Sequence, residues 1–415
     1  MEQPVFVHLD FQEKTIPVGT LWVHQKQGRQ TASFEYAESY RSLPGHFALE
    51  PALMVTAGQY HSRHPFFGAV SDSAPDRWGR KLIQRLEFHQ AKSENRAPRT
   101  LMEADYLLMV DDRSRLGALR FSLKKNGPYL ARYSDTSIPP LIQLGRLLQL
   151  SSKVLKDEES GADIRDLVEP GSSLGGARPK AAVMDNQGNL LLAKFPSPHD
   201  AWDVELWEAV AFILAKHAGI AVPETRLVNI SGQNVLLLQR FDRQGTKRIP
   251  FLSAMSMLGA SDGDTASYLE IGEALIAHGA NPDQDLKELW KRLVFNILIS
   301  NVDDHLRNHG FLYENLSGWC LSPIYDLEPT PVHVKPRFLS TSITLDDATA
   351  SLDLAYDVAS EFGLDAGEAR MLAGQVAAGT AKWHQVAQRL GAGHREIESM
   401  GSAFEHEDLN KALMR

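Results

Sequence analysis

What the sequence lacks narrows it first. Its 415 residues include one cysteine, Cys320, which rules out an internal disulfide and leaves no thiolate set for a structural zinc site. A reducing, cytoplasmic setting is the expectation. No uncharged apolar run reaches the roughly 18 residues that a membrane span requires. The opening "MEQPVFVHLDF" has no basic start followed by an apolar core, so neither secretion nor anchoring is expected. Positive charge is also short: 43 Lys and Arg stand against 52 Asp and Glu, a net charge of -9. Such a protein is no overall electrostatic match for a phosphate backbone. Repeats and low-complexity tracts are missing, and so is a Walker A loop.

What is present is an ordinary globular composition, 43% hydrophobic and 23% charged, at a length that fits two or three domains. "VFVHLDF", "VGTLWVHQ" and "ASFEYAESY" alternate like strands, "APDRWGRKLIQRLEFHQ" and "LMEADYLLMV" have helical spacing, and "LGALRFSL" returns to strand character. Residues 1–135 therefore read as an α+β module. From 136 to 245 a Pro-initiated helix, a Gly/Ser-rich turn, a hairpin ("KAAVMD", "NLLLAKF"), a helix and two strands ("TRLVNI", "QNVLLLQRF") form a sheet layer with one crossing helix. Residues 246–415 read as helix-rich, interrupted by a hairpin, "GFLYEN" and "GWCLSPIYD".

Several motifs carry chemistry. Gly171, Gly175 and Gly176 lie between helix and strand, where backbone N–H groups can approach phosphate; a tight surface turn explains them equally well. Lys194 ends an apolar strand, and Glu205 or Glu208 on the next helix is a candidate partner for it over a phosphate cradle; a solvated edge lysine is the plain alternative. In "ISNVDDHLRNHGFL" Asp303 and Asn308 have the D-x-x-x-x-N spacing of a kinase loop. There the Asp accepts the proton of the attacking hydroxyl, while the Asn and a later Asp hold Mg²⁺. Asp326, beyond the hairpin, is placed for that later role, and turn and C-cap formation is the plain alternative for the loop. His305 reads as a structural brace for Asp303, whereas Asp304 and His309 receive no role. In "LLLQRFDR" Phe241 could pack on adenine; alternatively Arg240, Asp242 and Arg243 form surface pairs of little worth. The order of these motifs favours a phosphotransferase.

Together "SSLGGARPKA", "AKF", the Glu205 helix ending "LAKHAGI", "LLLQRFDR", "NVDDHLRNHGF" and "SPIYDLEP" resemble the HipA family of bacterial toxin serine/threonine kinases. "VGTLW", "FEYAESY" and "SDSAPDRWGRKLI" resemble that family's N-terminal subdomain. The resemblance implies an α+β, two-lobed, protein-kinase-like fold that uses ATP and Mg²⁺. It implies Asp303 as base, Asn308 and Asp326 as metal ligands, Lys194 on phosphate, Gln239 and Phe241 around adenine, and a phosphate loop from Ser173 through Gly175, Gly176 and Ala177 to Lys180. It further implies autophosphorylation of Ser173, or Ser172 beside it, which would repel ATP. A small helix-turn-helix antitoxin like HipB, operator DNA reached through it, and a protein substrate such as an aminoacyl-tRNA synthetase are the implied partners. Where the family's loop often carries Gln or Glu, this chain has Arg178 and Pro179. The rival readings are a small-molecule kinase of the aminoglycoside type and a catalytically weak co-repressor scaffold.

Overall fold

The computed structural model describes residues 2–26, 28–125, 127–129, 138–171, 176–315 and 318–414. It divides into two compact units, one of Met1–His199, Ile230–Gln233 and Leu237–Leu252, the other of Asp200–Asn229, Asn234–Leu236 and Ser253–Arg415.

In the first unit β1 (Glu2–Phe11), β2 (Lys14–Lys26) and β3 (Arg29–Tyr36) pair antiparallel. With β4 (Gln59–His61) and β5 (Leu119–Ser122) they make a sheet of order β4-β3-β2-β1-β5. The alternation in sequence causes this, since Val5, Val7, Leu9, Leu21, Phe34 and Phe121 are all buried. Pro17, inside β2, cannot donate to a ladder. The register slips beside it: Val7 faces Gly19 and His8 faces Pro17, leaving Val18 as the extra residue of a bulge. Gly19 is demanded by close approach, because a Cβ there would lie 2.3 Å from the Glu35 carbonyl oxygen.

Helix Arg77–Ser93 starts at Asp76, whose Oδ1 accepts from Gly79 N at 2.7 Å. Further on, β6 (Lys180–Met184) and β7 (Leu190–Lys194) form the expected hairpin, its turn closed by Gln187 N and Asn189 N donating to Asp185 Oδ1, each at 2.8 Å. β8 (Thr225–Ile230) and β9 (Gln233–Gln239) complete the order β6-β7-β9-β8. The four expected strands pair in this sheet, whereas the helix expected to cross them, Val204–His217, belongs to the second unit.

The second unit is mostly helical. Helix Val204–His217 is buried almost all round and packs on Ala366–Thr380 and Trp383–Leu390. Gly379 permits one of these approaches, since a Cβ there would come 2.6 Å from Ala218 N. Trp383 stacks on Phe404 at 4.8 Å between centroids, with Trp207 beside both. Helix Pro282–Leu298 opens with Pro and two aspartates in its first turn, as the helix dipole favours, and carries the core residues Leu289, Trp290, Leu293 and Phe295. Among the described residues no helix is long and apolar enough to cross a membrane.

Candidate active site

The polar stretch begins where helix Pro282–Leu298 stops. Ser300 N donates to Ile297 O at 3.3 Å and Asn301 N to Asn296 O at 2.9 Å, the paired 5→2 and 6→1 bonds of a Schellman ending. Ser300 takes the left-handed turn there, with φ +50, a conformation that costs a non-glycine residue roughly 1–2 kcal/mol. Its hydroxyl is held by Ala403 O at 2.9 Å.

Beyond the turn two pairs of residues interleave, each five apart. In the outer pair Asn308 Nδ2 donates to the Asp303 carbonyl oxygen at 3.1 Å, and a 3₁₀ turn, Leu306–Asn308, sets the distance. Asn308 is buried, while the Asp303 side chain is 52% exposed. The inner pair is Asp304 and His309, both buried, with His309 Nε2 3.1 Å from Asp304 Oδ2. Tyr268 OH donates to the same carboxylate oxygen and accepts from Asn296 Nδ2 at 2.9 Å, while Asn296 Oδ1 accepts from Asn301 Nδ2 at 3.0 Å. Burial, reinforced by the Asp304 charge, pushes the Tyr268 phenol well above its ordinary pKa. The loop thus stands on a satisfied polar network. Sequence reasoning missed it; the repeated five-residue spacing of Asp304 and His309 was the available signal.

His305 enters through its backbone: its N donates to Asp303 O at 2.9 Å and its O accepts from Asn308 N at 2.7 Å. Its ring is exposed. Asp326 also has a left-handed backbone, φ +60. Its segment is tied to the loop by Tyr325 OH on Arg307 O at 2.6 Å, Glu328 N on Asn301 Oδ1 at 3.4 Å and Thr330 N on Ser300 O at 3.2 Å. The second unit therefore draws Asp303, Asn308 and the Asp326 strap to one loop.

In the first unit Ser172, Ser173 and Gly175 lie outside the described residues. Gly176 has φ +99 and accepts from Trp78 N at 3.3 Å; Ala177 is exposed. The Lys180 ammonium is buried 3.1 Å from Asp76 Oδ2, and Trp78 Nε1 donates to Lys180 O at 3.0 Å. The N-terminal "APDRW" segment thus grips the strand that follows the glycine turn. Lys194 is buried and faces Lys180 across the hairpin, a like-charge pairing that the Asp76 carboxylate offsets.

Gln239 and Phe241 are half-buried, and the Phe241 ring lies 6.2 Å from that of Phe251. The charges flanking Phe241 are not surface pairs. Arg240 grips Asp242 through two bonds of 2.6 and 2.5 Å, Arg243 adds a third at 2.5 Å, and Gly117 N a fourth at 2.8 Å. Arg240 and Arg243 also donate to Ser114 O at 3.0 Å and Arg115 O at 2.5 Å. Burial opposes ionisation of Asp242, but the two guanidiniums outweigh it and hold the carboxyl at about 2. Glu205 and Glu208 are both buried in helix Val204–His217 of the second unit.

Among the described residues no group of three or more His, Cys, Asp or Glu side chains is poised to hold a metal. The arrangement offers one exposed carboxylate on a rigid support, with an amide and a second carboxylate on adjoining segments.

Two family models match the chain: the HipA N-terminal domain over residues 10–102 and the HipA-like C-terminal domain over 172–394. A candidate kinase of Haemophilus influenzae is 27% identical over 182 residues, 38% of this chain and 52% of that protein. A second candidate kinase, from Sinorhizobium fredii, is 28% identical over 36% of this chain and 40% of that one. The chain spans about half or less of these relatives' lengths. The HipA of Shewanella oneidensis, solved as a toxin–antitoxin complex with HipB and operator DNA, superposes with TM-score 0.67 at 16% identity, over 99% of this chain and 96% of that one. That similarity shows a shared fold, the two-lobed kinase-like α+β architecture expected from the motifs. With the C-terminal model alone covering more than half of its length, the chain belongs to the HipA family.

Proposed function

We propose that this chain is a serine/threonine protein kinase that uses ATP and Mg²⁺ and acts as the growth-arresting toxin of a toxin–antitoxin pair. The observation that carries the reading is the Asn308 amide on the Asp303 carbonyl oxygen at 3.1 Å, with Tyr325 tying the Asp326 strap to Arg307. It fixes the backbone of Asp303 and leaves the carboxylate exposed. Asp303 takes the proton of the acceptor hydroxyl as that oxygen bonds to phosphorus and the bond to the departing diphosphate breaks. The donor set fits Mg²⁺: Nδ2 of Asn308 is spent on Asp303, Oδ1 is left to coordinate, and Asp326 adds a carboxylate. This ion is ordinarily held through one or two carboxylates with phosphate oxygens and water. When bound it neutralises charge on the transferring phosphates.

Nucleotide-holding is assigned to Lys194, Gln239, Phe241 and the backbone from Ser173 to Lys180. Phosphorylation of Ser173 or Ser172 would add about two negative charges there and oppose ATP. A HipB-like partner, as in the Shewanella complex, would bring an acidic protein to operator DNA, and the low cysteine content suits the cytoplasm. The test is incubation with labelled ATP and Mg²⁺, in one arm without added substrate and in another with small-molecule acceptors of the aminoglycoside type, followed by mass spectrometry. Label on Ser172 or Ser173 that Asp303→Ala abolishes supports the reading. Label passing only to an added small molecule, or to nothing, overturns it.

A further inference from the structure

The strap after Asp326 carries cations with different fates. Arg337 donates to Asp408 Oδ2 at 2.7 Å and to Ile297 O at 2.9 Å, which pins the strap to helix Pro282–Leu298. Arg307, in the loop, is paired with Asp262. Lys335 instead places its ammonium 3.8 Å from Asp303 Oδ1, with the two side chains 55% and 52% exposed. An exposed pair of that kind contributes at most about 1 kcal/mol to a fold, so stability does not account for its position.

That position is nevertheless well supported. Val334 N and Lys335 N both donate to Pro331 O, at 2.9 and 3.3 Å, in a single turn that Pro336 cannot continue. Val332 N donates to Ser402 Oγ at 3.2 Å. Ser340 N and Oγ both donate to Val302 O, at 3.1 and 2.9 Å. One anchor of the strap is therefore the residue immediately before Asp303.

We propose that Lys335 is a phosphoryl-contacting residue, its ammonium meeting the transferring phosphate beside the carboxylate that takes the acceptor's proton. The inference rests on the phosphotransfer reading above. Two negative groups, carboxylate and phosphate, must approach each other there, and a cation at the transferring group stabilises the charge on its equatorial oxygens in the transition state. Lysine suits the task, being a compact charge with three donors on a flexible stem. The loose 3.8 Å contact leaves it able to turn from carboxylate to phosphate.

The test compares wild type, Lys335→Ala and Lys335→Arg as full chains. Calorimetric titration with ADP and Mg²⁺, with and without aluminium fluoride as a mimic of the transferring group, is run beside phosphate transfer from ATP. For Lys335→Ala the expected result is an ADP affinity within about twofold of wild type, with affinity for the ADP–aluminium fluoride complex and kcat each lowered about tenfold to a hundredfold. Lys335→Arg should recover most of both. Equal losses for ADP and the mimic, no loss at all, or faster transfer in Lys335→Ala each overturn the proposal. A wild-type chain that binds no ADP and transfers no phosphate brings down the phosphotransfer reading together with it; an active wild type with an unaltered Lys335→Ala removes the Lys335 assignment alone.

Discussion

The Arg240–Arg243 segment and the 299–312 loop are both dense in charge, and they use it in opposite ways. Around Asp242 the charges turn inward. Two guanidiniums and a backbone amide enclose a carboxylate that is 0% exposed, and the same guanidiniums bind the carbonyls of Ser114 and Arg115. In the second unit the buried charge, Asp304 with His309 and Tyr268, supports a neighbour that remains in solvent, Asp303. A charged motif in sequence can thus be a fastener or a platform, and only its partners distinguish the two.

Removing the exposed group and removing the enclosed one should separate them. Asp303→Ala is expected to cut phosphate transfer by about a hundredfold to ten-thousandfold while shifting stability by no more than about 1 kcal/mol, read from labelled-ATP transfer and a urea titration on the same preparation. Asp242→Ala should do the reverse in kind, costing about 3–5 kcal/mol because two buried guanidiniums lose their counter-charge; an unchanged urea midpoint would contradict the fastener role. Smaller effects come next. Tyr268→Phe takes the acceptor from the buried Asn296 amide and one partner from Asp304 Oδ2, and His309→Ala takes the other partner of that oxygen, each at about 1–3 kcal/mol; a double-mutant cycle should show the two coupled.

Acid titration sharpens the contrast further. The folded value of Asp242, about 2, lies below the roughly 3.9 of an unfolded aspartate. Its stabilisation is therefore complete above the unfolded value and fades as pH falls through the folded one. Asp242→Asn should flatten that acid limb of the stability curve. At the small end, Arg307→Ala removes an exposed pair with Asp262 and should cost at most about 1 kcal/mol.

Much of this was legible in the sequence. "TRLVNI" coincides with β8, and the periodicity of "DQDLKELWKRLVFNILIS" locates the helix that delivers the loop. The Asp303–Asn308 spacing also found a pair that the fold joins. The two supporting arrangements were legible only in part: His309 is five residues from Asp304 and Arg240 two from Asp242, but the groups that complete them are remote, Tyr268 being 36 residues from Asp304 and Gly117 125 from Asp242. Local pattern reports period and turn chemistry, whereas a buried ion pair depends on which distant segment closes over it. Lys335 eluded the reading for the same reason, since nothing in "PVHVKPR" shows that Ser340 anchors the strap at Val302.

The interleaving of Asp303 with Asn308 and of Asp304 with His309 has a consequence for how this loop tolerates change. Both pairs span the same 3₁₀ turn, so inserting or deleting one residue between positions 304 and 308 breaks them together, whereas positions 305 and 307 have exposed side chains. A randomised library across the stretch, selected for activity, should therefore return many side chains at 305 and 307 and a single loop length.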